Sequence, residues 1–297
     1  MNKRPTESES LFKKSPTQTI ENSLERGDIS IFDFPIILIL KEVLEFLFTG
    51  TGTSTGVPMV GCSCEVCQST DPLDKRLRSS GIIRSEKTSI VIDTGPDFRQ
   101  QMLNHRITDI DAVVYTHQHK DHTAGLDDVR PFNYLRDKVM PLYTSEAVET
   151  HLRKEYYYIF ERTDYPGLPR LHFKRIEPLT PFQIGDIDLL PLPLMHGPLP
   201  VLGFKVDSFA YLTDTNQLLP ESIPHLQNLE LLVLDALRIT PHYSHFHLAK
   251  ALEVIEELKP QRTYLTHISH LLGKHAEVSL TLPENVFLAY DGLRLQW

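Results

Sequence analysis

The sequence has little cysteine, and its cysteines do not suit disulfide bonds. Only 3 of the 297 residues are cysteines, and they lie close together as Cys62, Cys64 and Cys67. An odd, clustered set excludes the disulfide framework of small secreted domains. Thiolates at this spacing are typical of metal ligation in a reducing compartment, so we expect a cytoplasmic protein.

Long hydrophobic runs are also missing. The most apolar stretch, residues 34–40, is followed by Lys41 and is far shorter than the roughly 20 residues that span a bilayer. Acidic residues precede this stretch and no small-residue cleavage site follows it, which argues against a signal peptide. The sequence therefore predicts neither a membrane helix nor a membrane partner.

An excess of positive charge is missing too. The chain has 30 lysines and arginines against 39 aspartates and glutamates, which gives a net charge of −9. This balance argues against a protein whose main task is to hold a nucleic-acid backbone. Nucleic acid is therefore not expected among the partners.

The composition divides the chain near residue 42. Residues 1–42 begin with a polar stretch that has almost no periodic apolar pattern, and we expect them to form a largely flexible N-terminal extension. In residues 43–297, short apolar runs typical of strands alternate with stretches of helical spacing, which predicts one layered α/β domain. Helices are predicted at residues 97–105, 122–135, 145–160 and 246–258.

The sharpest motif follows a buried-strand candidate and reads Thr116-His117-Gln-His119-Lys-Asp121-His122. In an extended segment His117 and His119 point to the same side of the chain. Asp121 and His122 lie where the chain turns into a helix, so each pair can face a different metal ion. Crowded imidazoles repel each other once protonated and are hard to explain as packing. The motif therefore predicts a metal site.

Three further donors, His196, Asp214 and His267, each follow an apolar strand candidate. A catalytic divalent metal with histidine ligands usually needs three protein groups and an open position. Each residue alone also suits a loop or capping role. Together they repeat one arrangement, and we take them as candidate ligands.

These motifs together resemble the metallo-β-lactamase superfamily of binuclear metallohydrolases, from about residue 43 to residue 297. The resemblance implies a four-layer αββα sandwich with the site at one edge of the two sheets. Asp93, at the end of a strand candidate, is similar to the aspartate that braces the site in this family. The implied ligands are His117, His119 and His196 for the first metal, Asp121, His122 and His267 for the second, and Asp214 as the bridge.

The resemblance also implies hydrolysis at phosphorus. Two divalent metals roughly 3.5–4 Å apart can share a hydroxide near neutral pH and can hold the attacking and leaving oxygens of an in-line displacement. We expect two catalytic divalent metals, zinc or manganese, and attack of the bridging hydroxide on phosphorus. Asp121 is expected to be catalytic as well as a metal ligand.

The cysteine loop predicts a separate structural zinc site. Cys62, Cys64 and Cys67 supply three thiolates, and the sequence has no fourth cysteine. Structural zinc is almost always four-coordinate, and three cysteines with one histidine form a common ligand set. We expect His270 to be the fourth ligand. Three buried, unligated thiols are the alternative.

The glycine-rich residues 50–58, the cysteine loop and residues 265–270 resemble a narrower branch, the PhnP-like phosphoribosyl cyclic phosphate phosphodiesterases. This resemblance implies hydrolysis of a five-membered 1,2-cyclic phosphate on ribose. It also implies a catalytic histidine that contacts the phosphate and assists the leaving oxygen. His245 is the matching residue, with His242 and His247 as competitors.

Several alternatives stay open at this stage. A phosphodiesterase of the tRNA 3′-processing or cyclic-nucleotide type would use the same donors, although the basic arm usual in the tRNA type is missing. A non-catalytic metal-binding protein should have lost a ligand. A dinucleotide site at Gly50 and Gly52 is rejected, because Pro58 follows where a helix should begin. The tyrosines at 156–158 could pack, cover the site or form a homodimer contact.

Overall fold

The computed structural model describes residues 43–161 and 165–297. The extension expected at residues 1–42 lies outside the described residues. Within the described ranges, no helix has the length and apolar character needed to span a membrane.

The described residues form fifteen strands and eight α-helices. The strands are β1 (Glu45–Gly50), β2 (Ser80–Arg84), β3 (Ser89–Ile92), β4 (Ala112–Val114), β5 (Met140–Thr144), β6 (Leu171–Arg175), β7 (Phe182–Ile184), β8 (Ile187–His196), β9 (Leu199–Val206), β10 (Phe209–Leu212), β11 (Gln217–Leu218), β12 (Leu231–Asp235), β13 (Arg262–Thr266), β14 (Val286–Leu288) and β15 (Arg294–Gln296). The α-helices are α1 (Glu65–Gln68), α2 (Phe98–Asn104), α3 (Lys120–Thr123), α4 (Arg130–Arg136), α5 (Glu146–Glu155), α6 (Tyr157–Glu161), α7 (Leu248–Leu258) and α8 (His275–Ser279).

The strands form two sheets. The first has the order β15-β1-β2-β3-β4-β5-β6, and the second has the order β11-β8-β9-β10-β12-β13-β14, with β7 also paired to β8. In β1, Phe46, Leu47 and Phe48 are fully buried, as expected for a strand that is covered on both faces.

The two sheets pack face to face between two layers of helices. Phe46 and Phe48 of the first sheet meet Phe204, Phe209 and Tyr211 of the second in one buried cluster. A second cluster packs α7 on the outer face of the second sheet, and a third packs α2, α4 and α5 on the outer face of the first. This order of layers confirms the αββα sandwich.

Helix α7 shows why this layer forms where the sequence predicts it. Ala251, Val254, Ile255 and Leu258 are buried along one face, and the helix ends where Lys259 adopts a left-handed conformation. Burying a side chain such as Ile or Leu stabilises the fold by about 1.5–3 kcal/mol. The apolar stripe therefore fixes which face of α7 contacts the sheet.

The single helix predicted for residues 122–135 is wrong in detail. Helix α3 ends at Thr123, a 3₁₀ turn follows at Leu126–Val129, and α4 then begins with Pro131 in its first turn. A Cβ atom at Gly125 would lie 2.1 Å from the carbonyl oxygen of Gly95, so the chain can pass this close only with glycine. The close approach brings the segment after His122 against the loop after β3.

The carboxyl ends of several strands meet at one edge of the sandwich. Parallel pairing aligns the ends of β3 with β4, of β10 with β12, and of β12 with β13. The N–H of Leu202 donates to the carbonyl of Thr116 at 3.0 Å, which connects the two sheets at this edge. Polar residues that follow these strands are therefore brought together.

Candidate active site

All seven donors expected to bind the catalytic metals lie at this edge. Strand β4 leads to the first motif, β8 ends at His196, and β10 and β13 lead to Asp214 and His267. The donors form three overlapping groups in which the ligand atoms lie within 4.8 Å of one another: His117, His119 and His196; His117, His122 and Asp214; and Asp121, Asp214 and His267.

Asp214 is at the centre of these groups. Its Oδ1 lies 2.8 Å from His267 Nδ1, and its Oδ2 lies 3.2 Å from His122 Nε2 and 3.8 Å from His117 Nε2. Although burial opposes ionisation, His122 and His267 hold the pKa of Asp214 well below its usual value. Asp214 is therefore a carboxylate that faces histidines of both expected metal sites.

Two of the imidazoles have the charge state of metal ligands. Burial holds the pKa of His117 well below its usual value and lowers that of His196 to about 4, so both are neutral near pH 7. At His122 burial opposes protonation, but Asp214, Asp121 and Asp93 hold the pKa well above its usual value, so a metal ion would displace a proton there. The Nε2 atoms of His117 and His122 are buried without a hydrogen-bond partner. Neutral imidazole nitrogens and carboxylates are the donors that zinc and similar cations prefer. The donor set therefore fits a pair of divalent metals.

Asp93 forms hydrogen bonds that orient the residues of the metal-donor cluster. It is fully buried and accepts hydrogen bonds from the N–H and hydroxyl of Thr116 at 2.9 and 2.7 Å. Its Oδ2 also lies 2.7 Å from Nδ1 of His122, which leaves Nε2 of that ring facing Asp214. Such support is typical of groups that hold metal ligands in place.

Three residues at the edge have a left-handed backbone. The φ angles are +63° at Asp93, +53° at Asp214 and +56° at His267. Non-glycine residues adopt this conformation rarely, and aspartate and histidine are among the residue types that tolerate it. The sharp turn after each strand places these side chains at the edge.

His245 adjoins the metal donors. Its ring centroid lies 4.4 Å from that of His196 and 4.7 Å from that of His267. Its Nδ1 lies 2.9 Å from Oδ2 of Asp235, the buried last residue of β12. The competitor His242 is 5.2 Å from His245 in ring centroids and more exposed, whereas His247 is the N-cap residue of α7.

The sequence analysis did not identify Asp235 as a functional candidate. The available signal was its position directly after the apolar run of β12, which is also how Asp93 and Asp214 follow their strands. Ser79 was missed as well, and its hydroxyl lies 3.2 Å from Nδ1 of His267. No motif near Ser79 indicates this contact.

The three cysteines and His270 also lie together. Their ligand atoms are within 4.8 Å of one another, and His270 Nδ1 is 3.2 Å from Cys64 Sγ and 3.5 Å from Cys62 Sγ. The hydrogen bond with His270 lowers the pKa of Cys64 to about 6, while burial raises the pKa of Cys67 to about 11. Three sulfurs and one imidazole fit a tetrahedral zinc ion.

The thiol cluster is joined to the edge through the backbone. Ile268, which lies between His267 and His270, donates to the carbonyl of Thr51 at 2.9 Å and accepts from the N–H of Thr53 at 3.1 Å. On its other side this loop passes close to a second segment, because a Cβ atom at Gly52 would lie 2.9 Å from the carbonyl oxygen of Arg76. The loop before the cysteines and the segment of His267 therefore form one structural unit.

We expect Cys64→Ser to lower the melting temperature and to remove about one metal ion per chain. Serine can replace Cys64 as the N-cap of α1, so any loss reports the thiolate and not the cap. A loss of about 2 kcal/mol would lower the melting temperature by about 4–8 °C in a domain of this size. Calorimetry and metal analysis provide the measurement. The exposed neighbour Ser63, changed to Ala, is the control, and an unchanged Cys64→Ser protein would exclude a structural metal.

Comparison with known proteins agrees with this geometry. The family model of the β-lactamase superfamily domain matches residues 88–268. The chain belongs to the metallo-β-lactamase superfamily. Within that superfamily it is PhnP-like, because it is 40% identical to a solved structure described as a diphosphatase from the PhnP family. The two structures superpose with a TM-score of 0.81, and the alignment covers 86% of this chain and 97% of that chain.

Two curated relatives carry other names. An octanoyltransferase of Porphyromonas gingivalis is 40% identical over 249 residues, which are 83% of this chain and 50% of that protein. A ribonuclease Z of Methanopyrus kandleri is 24% identical over 140 residues, 46% of each protein. The chain spans about half the length of the curated relatives that it matches. The short form of human tRNase Z, at 17% identity and a TM-score of 0.61, shares the fold.

Proposed function

We propose that the chain is a binuclear phosphodiesterase that hydrolyses a small cyclic phosphate, a five-membered ring on ribose of the phosphoribosyl 1,2-cyclic phosphate type. The observation that carries this proposal is the position of Asp214 between the histidines of both expected metal sites. A cyclic-nucleotide substrate is the alternative within the same reaction class.

The seven donors would be shared between two metal ions. His117, His119 and His196 would hold one divalent metal, Asp121, His122 and His267 the other, and Asp214 both. When bound, zinc or manganese supplies Lewis-acid activation of water and neutralises charge that develops at phosphorus.

The ring of His245 lies next to the metal donors. Its Nδ1 faces Asp235, so its Nε2 is the nitrogen free to face a substrate. Burial lowers the pKa of His245 and raises that of Asp235 well above its usual value, so we propose that the Asp235 carboxyl donates to Nδ1 and that the imidazole proton lies on Nε2. This Nε2–H binds a phosphate oxygen and donates its proton to the leaving oxygen, while Nδ1 takes up the proton of Asp235. A positioned acid of this kind contributes about 10²–10⁴-fold to the rate.

A second candidate function is hydrolysis of a diphosphate linkage. The name of the 40% identical solved structure supports it, and the same donors would serve displacement at either kind of phosphorus. We do not extend octanoyl transfer to this chain, because the match covers half of that relative. A cluster of five imidazoles and two carboxylates suits metal-assisted hydrolysis.

Other proposals concern the protein as a whole. The reduced thiol cluster suits the cytoplasm. We propose that residues 43–297 form a single domain. A homodimer through the tyrosines at 156–158 is also a proposal, and light scattering would test it.

The proposed function predicts about three metal ions per chain and hydrolysis of bis(p-nitrophenyl) phosphate. Two ions belong to the edge site and one to the thiol cluster, because each donor group is complete in the described residues. Metal analysis after gentle purification and a colour assay measure both. One ion or none per chain, or no hydrolysis with a full set of metals, would rule the proposal out. Turnover of ribose 1,2-cyclic phosphate, a 2′,3′-cyclic nucleotide and a nucleoside diphosphate sugar would then rank the substrates.

A further inference from the structure

A row of aromatic rings runs from the metal donors to the surface. His245 contacts His242 at 5.2 Å between ring centroids, and His242 contacts Tyr243 at 4.9 Å. Tyr243 is 79% exposed, the largest exposed fraction of any tyrosine in the described residues. A ring this exposed contributes little to the core, so packing does not explain its position.

The loop that carries Tyr243 is nevertheless held firmly. The guanidinium of Arg238 donates to the carbonyls of Thr240 and Pro241 at 3.1 and 2.6 Å. The amide of Asn216 donates to the carbonyl of Tyr243 at 3.2 Å, and its oxygen accepts from the N–H of Gly197 at 2.7 Å. These bonds fix the backbone of Tyr243 relative to the end of β8.

Gly197 lies beside the tyrosine ring. It follows the metal donor His196 and has a φ of +60°. A Cβ atom there would lie 3.3 Å from Cβ of Ser244 and 3.5 Å from the ring of Tyr243. The ring therefore lies directly over the turn that carries a metal donor, with one face open to solvent.

We propose that Tyr243 is a stacking surface for the base of a nucleoside 2′,3′-cyclic phosphate. The ring of His242 lies between the rings of Tyr243 and His245. A substrate whose phosphate contacts His245 could therefore place its base, which lies on the far side of the ribose, against Tyr243. Base–aromatic stacking tolerates any base, because every base has a π face. This inference rests on the proposed phosphodiesterase activity and, between the two substrate types named there, favours the cyclic nucleotide over the ribose 1,2-cyclic phosphate. A ribose 1,2-cyclic phosphate has no position for a base, since the oxygen on C1 belongs to the cyclic ester.

The test compares two substrates that differ only in the base. One is adenosine 2′,3′-cyclic phosphate, and the other is methyl riboside 2,3-cyclic phosphate, which has a methoxy group in place of the base. We expect the wild-type protein to have the higher kcat/KM for the first. Tyr243→Ala should lower that preference about tenfold, mainly through KM, because one stacked base is lost. Tyr243→Phe should keep the preference, since it retains the ring.

Tyr134, which is exposed on α4, provides the matched control: Tyr134→Ala should leave the ratio of the two kcat/KM values unchanged. An unchanged ratio in Tyr243→Ala would overturn the inference, and so would an equal loss in Tyr243→Phe. Neither result would affect the proposed function, which bis(p-nitrophenyl) phosphate hydrolysis tests separately. Because Tyr243 is exposed, the variants should fold, and an unchanged melting temperature checks this.

Discussion

Asp214→Asn is expected to lower kcat/KM for phosphodiesters by more than about 100-fold, since even groups that only orient metal ligands contribute about 10–100-fold. The carboxamide has the same size but no charge to offset two divalent cations. It would also direct an NH₂ group toward imidazole nitrogens that lie 2.8–3.8 Å from the carboxylate in the native protein. Metal content should fall together with activity, and both are measured on the same purified sample.

Asp207→Asn is the matched control for this prediction. Asp207 also has a left-handed backbone, with a φ of +50°, but it lies in the exposed turn between β9 and β10. Asparagine tolerates this conformation, so neither variant should strain its turn. Asp214→Asn protein that kept full metal and more than a tenth of the native kcat/KM would contradict a bridging role for the carboxylate.

The candidate site could be predicted largely because its donors follow a rule of position. His196 is the last residue of β8, and Asp214 and His267 follow the apolar strands β10 and β13, whose parallel pairing with β12 brings their carboxyl ends to one edge. The apolar runs and the polar residues at their ends were therefore enough to predict that residues distant in sequence lie close together. The same rule would have selected Asp235 if every strand end had been treated as a candidate.

Contacts made by irregular segments could not be predicted in this way. Ser79 and Asn216 make hydrogen bonds between loops, to His267 and to Tyr243 among others, and no spacing in the sequence encodes such pairs. Strand β2 was missed as well. Its sequence, Ser80-Gly81-Ile-Ile-Arg84, contains only two large apolar residues, and a Cβ at Gly81 would lie 2.1 Å from the ring of Phe46. Glycine is needed at position 81 because of its contact with Phe46, which is distant in sequence.

The divided helix at residues 122–135 has a similar explanation. Helical spacing is present through the whole segment, but Gly125 must approach the backbone of Gly95, and Pro131 starts a new helix. Tertiary contact thus outweighs local propensity at the place where the metal motif leaves β4. The turn places Asp121 and His122 toward the edge while α4 returns to pack on the first sheet.

His245→Asn is expected to separate proton donation from metal binding. The asparagine amide can still reach Asp235, but it lacks the Nε2 that we propose as the acid. For a substrate with a sugar alkoxide as leaving group, kcat should fall about 10²–10⁴-fold. For bis(p-nitrophenyl) phosphate the loss should be much smaller, because p-nitrophenolate leaves without a proton. Steady-state kinetics with both substrates measures the difference.

Metal analysis of the same variant distinguishes this role from ligation. His245 lies within 4.8 Å of His196 and Asp214 by its donor atom, so it could instead act as a further ligand. A ligand would lose metal and would lower the hydrolysis of both substrates alike, whereas an acid would keep the metal and affect only the poor leaving group. His247→Asn is the control, because asparagine is a good N-cap for α7 and should change neither property. Equal losses for the two leaving groups would refute the proton transfer from His245.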